Sequence, residues 1–305
     1  MNKMYFIVTG GAGFIGSNLV ERLTTSAHTV HIVDNLMSGD IRNLAATYDK
    51  VTFSPKFEGK CLEKCDGIYH LGFPSSSPMY RKDPKLVASA LHDTIEVFEY
   101  ASTKRIPVVY ASTSSIYNGN PTPWNESMPV NVTDYYTETR YYVERLAELY
   151  NKLKDLSSYG LRLFSVYGEN EKYKGQYANL VSQFIWDMVA DKRPLIYFDG
   201  EQKRDFIHQS DVVAAFIKAM ELLLPQNSIC DVVNVGTGRS YSLNELVKMI
   251  NKELGKDIKP IYENPNVKNY VQDTLADTTK MHKLLGKHKV DLRTGLEKVI
   301  NAVRK

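Results

Sequence analysis

The residues best placed to do chemistry come early in the chain. Gly10, Gly13 and Gly16 form a G-x-x-G-x-x-G run. It follows the short aromatic and β-branched run Tyr5–Val8 and precedes Ser17–Leu23, where Leu19, Val20 and Leu23 recur at helical spacing. Early glycines let a backbone turn tightly and approach a pyrophosphate. A late one lets helix and strand pack closely, and the open N–H groups at the helix start favour an anion. Asp34 ends the next strand-like run, Thr29–Val33, about eighteen residues past Gly16. That is close to the ~20 at which a carboxylate holds the ribose diol of a bound dinucleotide. A carboxylate there repels a 2′-phosphate, which favours NAD over NADP. A glycine motif alone is weak; the strand before it, the helix after it and the acid beyond it point together to NAD as cofactor.

The elements that must position these residues read as alternating strands and helices. Further strands are expected at Val51–Phe53, Gly67–Leu71, Val108–Ala111 and Gly160–Phe164, with long helices at Leu86–Ser102 and Thr137–Leu153. Such alternation predicts βαβ units, and right-handed crossovers make of them an α/β fold with a doubly wound parallel sheet of the Rossmann kind. Beyond Phe164 turn signals multiply at Gly175, Arg193-Pro194 and Asp199-Gly200. Helices are expected at Leu180–Ala190, Asp211–Leu224 and Ser242–Leu254, the last opened by a Ser242/Glu245 capping box. The expected organisation is an NAD-binding domain over 1–165, to which 205–235 returns, and a smaller interleaved C-terminal substrate domain over 166–305.

Composition narrows the partners. Of 305 residues 43% are apolar, and 38 Lys and Arg against 35 Asp and Glu leave a net charge of +3. That is too small an excess for an electrostatic nucleic-acid binder. No apolar run reaches membrane-spanning length, and the start does not read as a signal peptide, so a cytoplasmic chain is expected. Cys61 and Cys65 form a C-x3-C pair and Cys230 stands apart. They supply neither a disulfide framework nor the four ligands of a zinc site, so no metal is expected.

The segments Thr9–Ser17, Asp34-Asn35-Leu36 and Ser38-Gly39 resemble the extended short-chain dehydrogenase/reductases, and within them the nucleotide-sugar epimerases and dehydratases typified by UDP-glucose 4-epimerase. The resemblance continues through His70-Leu71-Gly72, Ser112–Tyr117, Leu161–Gly168, Gly200–His208 and Asn234–Gly238, nearly the whole chain. It implies cofactor contacts at Gly10, Gly13, Phe14, Ile15 and Gly16, at Asp34, Asn35, Ser38 and Gly39, and at Leu71, Tyr136 and Arg140. On the substrate side it implies Ser75, Thr113 and Ser165, Asn179 and Leu180 near the diphosphate or base, Ile196 and Tyr197 near the base, and Arg204 on the diphosphate. The competing role for Arg204 is a structural pair with Asp205. The long helices at 86–102 and 137–153 imply, by analogy, a homodimer.

Catalysis in such proteins uses a Tyr-x-x-x-Lys pair on a helix and a Ser or Thr from a strand. Tyr136 falls on the tyrosine, Arg140 on the lysine and Thr113 on the strand hydroxyl. Hydride loss from a sugar carbinol requires its hydroxyl proton to leave as well. A tyrosine, which ionises near 10 when free, can accept that proton once a fixed cation stabilises its phenolate. Arginine keeps the charge, but its fork differs from an ammonium, so the lysine's hydrogen bonds to the nicotinamide ribose need not survive. After Thr113 the related 4,6-dehydratases place acids, and the UDP-glucuronate decarboxylases a glutamate at the second position. Ser114 and Ser115 supply no carboxyl. The loop Phe73–Tyr80 is decarboxylase-like and pulls the other way. Further departures are Lys56 for an acid near the adenine, Asn118 for a glycine, Ser165 for an asparagine, and Val267 beside Lys268 for a late arginine. The expected activity is an NAD-dependent epimerase (isomerase) inverting C4 of a nucleoside diphosphate sugar, a UDP-hexose, through a 4-keto intermediate. The alternatives are a decarboxylase or 4-keto-sugar reductase, and a non-catalytic protein that binds NAD or a nucleotide sugar.

Overall fold

The computed structural model describes residues 3–58, 64–224, 228–265 and 271–304. Cys61, Val267 and Lys268 lie outside them. The first half runs β1 (Tyr5–Thr9), α1 (Phe14–Thr25), β2 (Thr29–Val33), β3 (Val51–Ser54), β4 (Gly67–His70), α2 (Ser77–Lys82), α3 (Leu86–Lys104), β5 (Val108–Thr113), α4 (Tyr135–Lys154) and β6 (Ser158–Leu163). The second half runs β7 (Ser165–Tyr167), α5 (Leu180–Val189), β8 (Leu195–Tyr197), β9 (Lys203–Arg204), β10 (Phe206–His208), α6 (Gln209–Leu223), β11 (Cys230–Val235), β12 (Tyr241–Ser242), α7 (Leu243–Leu254), β13 (Ile261–Glu263), α8 (Thr279–Leu284) and α9 (Leu292–Arg304).

Among the described residues seven strands form a sheet in the order β11-β6-β5-β4-β1-β2-β3, every neighbouring pair parallel. From β1 the chain winds outward to β2 and β3, then returns to the other side of β1 for β4, β5 and β6. The order therefore reverses between β1 and β4, and the crevice above such a reversal is where open α/β sheets bind ligands. One face is covered by Leu19, Val20 and Leu23 of α1 with Val212, Phe216 and Met220 of α6. The other is covered by Val97, Phe98 and Ala101 of α3 with Val143 and Ala147 of α4. A separate apolar cluster joins Phe184 and Ile185 of α5, Leu246 and Ile250 of α7, and Leu296 and Ile300 of α9. Burial on both sheet faces explains why the strands are nearly continuous apolar runs.

Helix ends are specified locally. Asp134 opens α4 as a capping box with Thr137, its carboxylate accepting the Thr137 amide at 2.8 Å, and α4 stops where Asp155 turns left-handed at φ 55°. The Ser242/Glu245 box expected from sequence opens α7, which ends at Gly255 with φ 66°. Of the elements not expected from sequence, α2 is only six residues long. In α9, Leu292, Leu296, Val299 and Ile300 are buried at helical spacing, a signal that was there to be read.

Inside the sheet face α4 is fastened by a buried ion pair. Glu144 meets the Arg162 guanidinium of β6 in a two-pronged contact at 2.7 and 3.0 Å, and both side chains are almost fully buried. The Ser112 hydroxyl of β5 donates to the same carboxylate. Removing one member leaves an uncompensated buried charge, so Glu144→Gln is expected to lower stability by about 3–5 kcal/mol in denaturant unfolding followed by circular dichroism. A loss below about 1 kcal/mol, the size of an exposed pair, would show that the pair does not fasten the helix.

Candidate active site

A cavity of about 1470 Å³ lies along the carboxyl ends of the strands, walled by both halves of the chain. The glycine run forms one wall. Gly10 takes a left-handed conformation at φ 69°, and its amide donates to Val33 O at 2.8 Å, which ties the loop to the end of β2. At Gly16 a side-chain carbon would stand 2.0 Å from the Gly10 carbonyl oxygen, so the loop and the start of α1 can approach this closely only without one. Gly13 occupies the helix cap with no side chain closing it. The first amides of α1 are thus left for an anion. Asp34 accepts the Ala12 amide at 2.9 Å and the Leu36 amide at 2.8 Å. Burial raises its pKa and the backbone donors oppose that rise. The Gly13 amide is among those donors, and the carboxylate's roughly four acceptor sites are not all taken by the three. This cradle and carboxylate fit the pyrophosphate and ribose of a dinucleotide. Phe14 and Ile15, Asn35, Ser38 and Gly39, and Leu71 line the same cavity, as do Lys56 and Asn118.

The facing wall carries the expected catalytic groups. Thr113 ends β5, is buried, and accepts the Ser115 amide at 3.2 Å. Tyr136 is the second residue of α4, half-buried, with Arg140 one turn on and 4% exposed. All three line the cavity. The Arg140 guanidinium donates to Ala111 O at 3.2 Å and Pro74 O at 3.3 Å. It lies 4.1 Å from the Phe73 ring centroid and 5.3 Å from that of Tyr136. Beside it His70, held at 2.7 Å from the Thr9 hydroxyl, is pushed down to about 3 by burial and by Arg140, and so stays neutral. Tyr80 packs 5.8 Å from the Tyr136 ring. Burial pushes its pKa up, with Arg140 acting the other way, which leaves Tyr80 a neutral phenol. At the rim the Ser77 hydroxyl donates to Asp134, joining the start of α2 to the cap of α4.

On the substrate side Ser75, Ser165, Asn179 and Arg204 line the cavity, whereas Leu180, Ile196 and Tyr197 do not. Ile196 is fully buried and Leu180 packs against the same cluster of α5, α7 and α9, while Tyr197 on the opposite side of β8 is exposed. Strand alternation puts one of the β8 pair in the core and the other outside. Arg204 donates to Val271 O at 2.7 Å and Gln272 O at 3.0 Å. The neighbouring Asp205 does not pair with it; it is fully buried and accepts the amides of Thr237, Gly238 and Ala276. Glu171, which sequence reasoning missed, is a buried hub. It takes the Asn179 amide at 2.8 Å, the Ser182 hydroxyl at 2.6 Å and the Lys174 ammonium at 3.0 Å, fixing the start of α5. The segment carrying it also grips the glycine wall: Asn18 donates to Glu169 O and Asn170 to the Ser17 hydroxyl, both at 3.1 Å.

The profile of the NAD dependent epimerase/dehydratase family matches residues 6–236. A putative UDP-glucose 4-epimerase of Methanocaldococcus jannaschii is 32% identical over 97% of each chain. UDP-glucuronic acid decarboxylase 2 of Arabidopsis thaliana is 29% identical over 98% of this chain and 68% of its own. Among solved structures, the UDP-N-acetylglucosamine 4-epimerase of Methanobrevibacter ruminantium M1, in complex with UDP-N-acetylmuramic acid, superposes with a TM-score of 0.91 at 28% identity. That match covers 99% of this chain and 98% of the other. The cradle itself can be tested directly: Gly16→Ala is expected to weaken NAD binding in calorimetry about tenfold or more, in a protein that circular dichroism shows to be folded. Unchanged affinity would remove the glycine wall from the binding site.

Proposed function

The chain belongs to the NAD dependent epimerase/dehydratase family, and we propose that it is a 4-epimerase of a nucleoside diphosphate sugar, a UDP-hexose, with NAD as its resident cofactor. The observation that carries this reading is the set Thr113, Tyr136 and Arg140 along one cavity wall, facing the glycine cradle, with hydroxyls alone at Ser114 and Ser115. When bound, NAD supplies a reversible hydride acceptor. Thr113 would hold the C4 oxygen by a hydrogen bond, and Tyr136 would take its proton and later return it. Arg140 would be the fixed cation beside the base, its guanidinium carbon 5.3 Å from the Tyr136 ring centroid. Without a carboxyl at residues 114 and 115 there is no group there to expel water from the sugar. The remaining chemistry for the 4-keto sugar is return of hydrogen at C4, on either face. Arg204 and the start of α5 at Asn179 would receive the diphosphate.

A second reading is favoured by the Arabidopsis relative and by the loop Phe73–Tyr80: decarboxylation of a nucleotide-linked uronic acid. Product analysis by NMR after mixing with UDP-glucose, UDP-galactose and UDP-glucuronate separates the two. Interconversion at C4 supports the epimerase; carbon dioxide release with a pentose product supports the decarboxylase. Tyr136→Phe is expected to lower kcat by about 10²-fold or more while nucleotide-sugar binding persists, the size of a lost general base. A variant turning over near the wild-type rate would overturn the assignment of the base.

The proposal includes the division at 165, with 205–235 returning to the cofactor domain, and a homodimer through α3 and α4. The dimer is supported by exposed Ile95, Tyr142, Leu149 and Leu153 on those two helices. Ile95→Glu with Leu149→Glu is expected to shift the sedimentation coefficient to that of a monomer; an unchanged value would place the interface elsewhere.

A further inference from the structure

Arg140 is a buried cation without a counter-ion: among the described residues it makes no ion pair, and its Nε has no partner. Two carbonyl oxygens, at 3.2 and 3.3 Å, take one N–H from each side of the fork. Two rings flank it, those of Phe73 and Tyr136. The Phe73 ring stands 4.1 Å below the guanidinium carbon and is itself 6% exposed, wedged against the His70 ring at a centroid distance of 4.3 Å. The neutral His70 adds no competing charge. A strongly hydrated ammonium would be poorly served here, whereas a guanidinium gives up water more easily and stacks on a ring face.

We propose that Phe73 is a positioning residue for the reaction, an aromatic shelf that holds the Arg140 charge against Tyr136 and so lets arginine stand where the resemblance expects lysine. The proposal rests on the reading of Tyr136 as the base. Phe73 touches Arg140 and acts through it. The other titratable or charged groups that the elements packed here bring to the cavity or beside it are His70 from β4, Tyr80 and Arg81 from α2, His92, Asp93 and Glu96 from α3, and Asp134, Tyr135 and Glu138 at the start of α4 itself.

The test needs no known substrate. Tyrosinate absorbance is titrated in the NAD-loaded protein, and the Tyr136→Phe titration is subtracted so that only Tyr136 contributes. Phe73→Leu is expected to move that transition to higher pH by about one unit, and Phe73→Met, closer in volume, to do the same. Phe73→Trp, which keeps a ring face and adds no phenol, should leave it in place. Where turnover is measurable, Phe73→Leu should lower kcat roughly tenfold to thirtyfold with KM little changed. It should cost nothing further in an Arg140→Ala background. A Tyr136 transition that is present but unmoved in both Phe73→Leu and Phe73→Met overturns the proposal alone, as do losses that add in the double variant. Absence of any separate Tyr136 transition overturns the base assignment, and this proposal with it.

Discussion

A carboxylate sealed away from water fixes where the rest of the site can be. Glu144 has the Arg162 fork on one side and the Ser112 hydroxyl on the other, and no solvent competes for either. Ser112 adjoins Thr113, and Tyr136 lies about two turns before Glu144 on the same helix. One polar knot therefore sets the strand hydroxyl and the helix tyrosine relative to each other. The knot extends further: Arg162 also donates to the Tyr117 hydroxyl, which donates to Asn234 of β11 at 2.9 Å. Asn234 in turn holds Trp124 O and, through its amide, Glu126. In a low dielectric such a network has few alternative arrangements, and that scarcity is what makes the geometry single-valued.

How much of this could be read from the chain follows from how local each signal is. The strands, the glycine cradle and Asp34 were legible because period, turn chemistry and spacing all act within a few tens of residues. Tyr136, Arg140 and Thr113 carried no such signature. Four tyrosines crowd residues 135–142, and only the resemblance singled one out. The aromatic contact of Phe73 with Arg140 joins residues 67 positions apart, and the Val271 carbonyl that holds Arg204 is equally distant in sequence. Ile196 and Tyr197 show the limit from the other direction. Alternation says that they point to opposite sides of β8, but it does not say that neither side is the cavity.

The net charge of +3 said little about the site because its charges are arranged, not accumulated. Asp34 and Asp205 are each surrounded by backbone amides, Glu171 by an amide, a hydroxyl and an ammonium, and Arg140 by carbonyls and rings. In each case a full charge is balanced by dipoles or neighbours already in place. Hydrogen bonds to a charged group are about twice as strong as neutral ones. Such charges therefore serve as anchor points for loops that have little apolar surface of their own.

The stretch from Glu169 to Asn179 lines the cavity between its two sides, with Lys174, Tyr177 and Asn179 on the wall. At one end it holds the first turn of α1 through Asn18 and Ser17, and the Lys174 ammonium lies 5.3 Å from the Phe14 ring centroid. At the other end Glu171 sets the first turn of α5. One strip of chain therefore anchors two helix starts, α1 on the glycine side of the cavity and α5 on the other. That anchoring rests on a few hydrogen bonds, the buried Glu171 carboxylate at their centre, and not on the packing of either core.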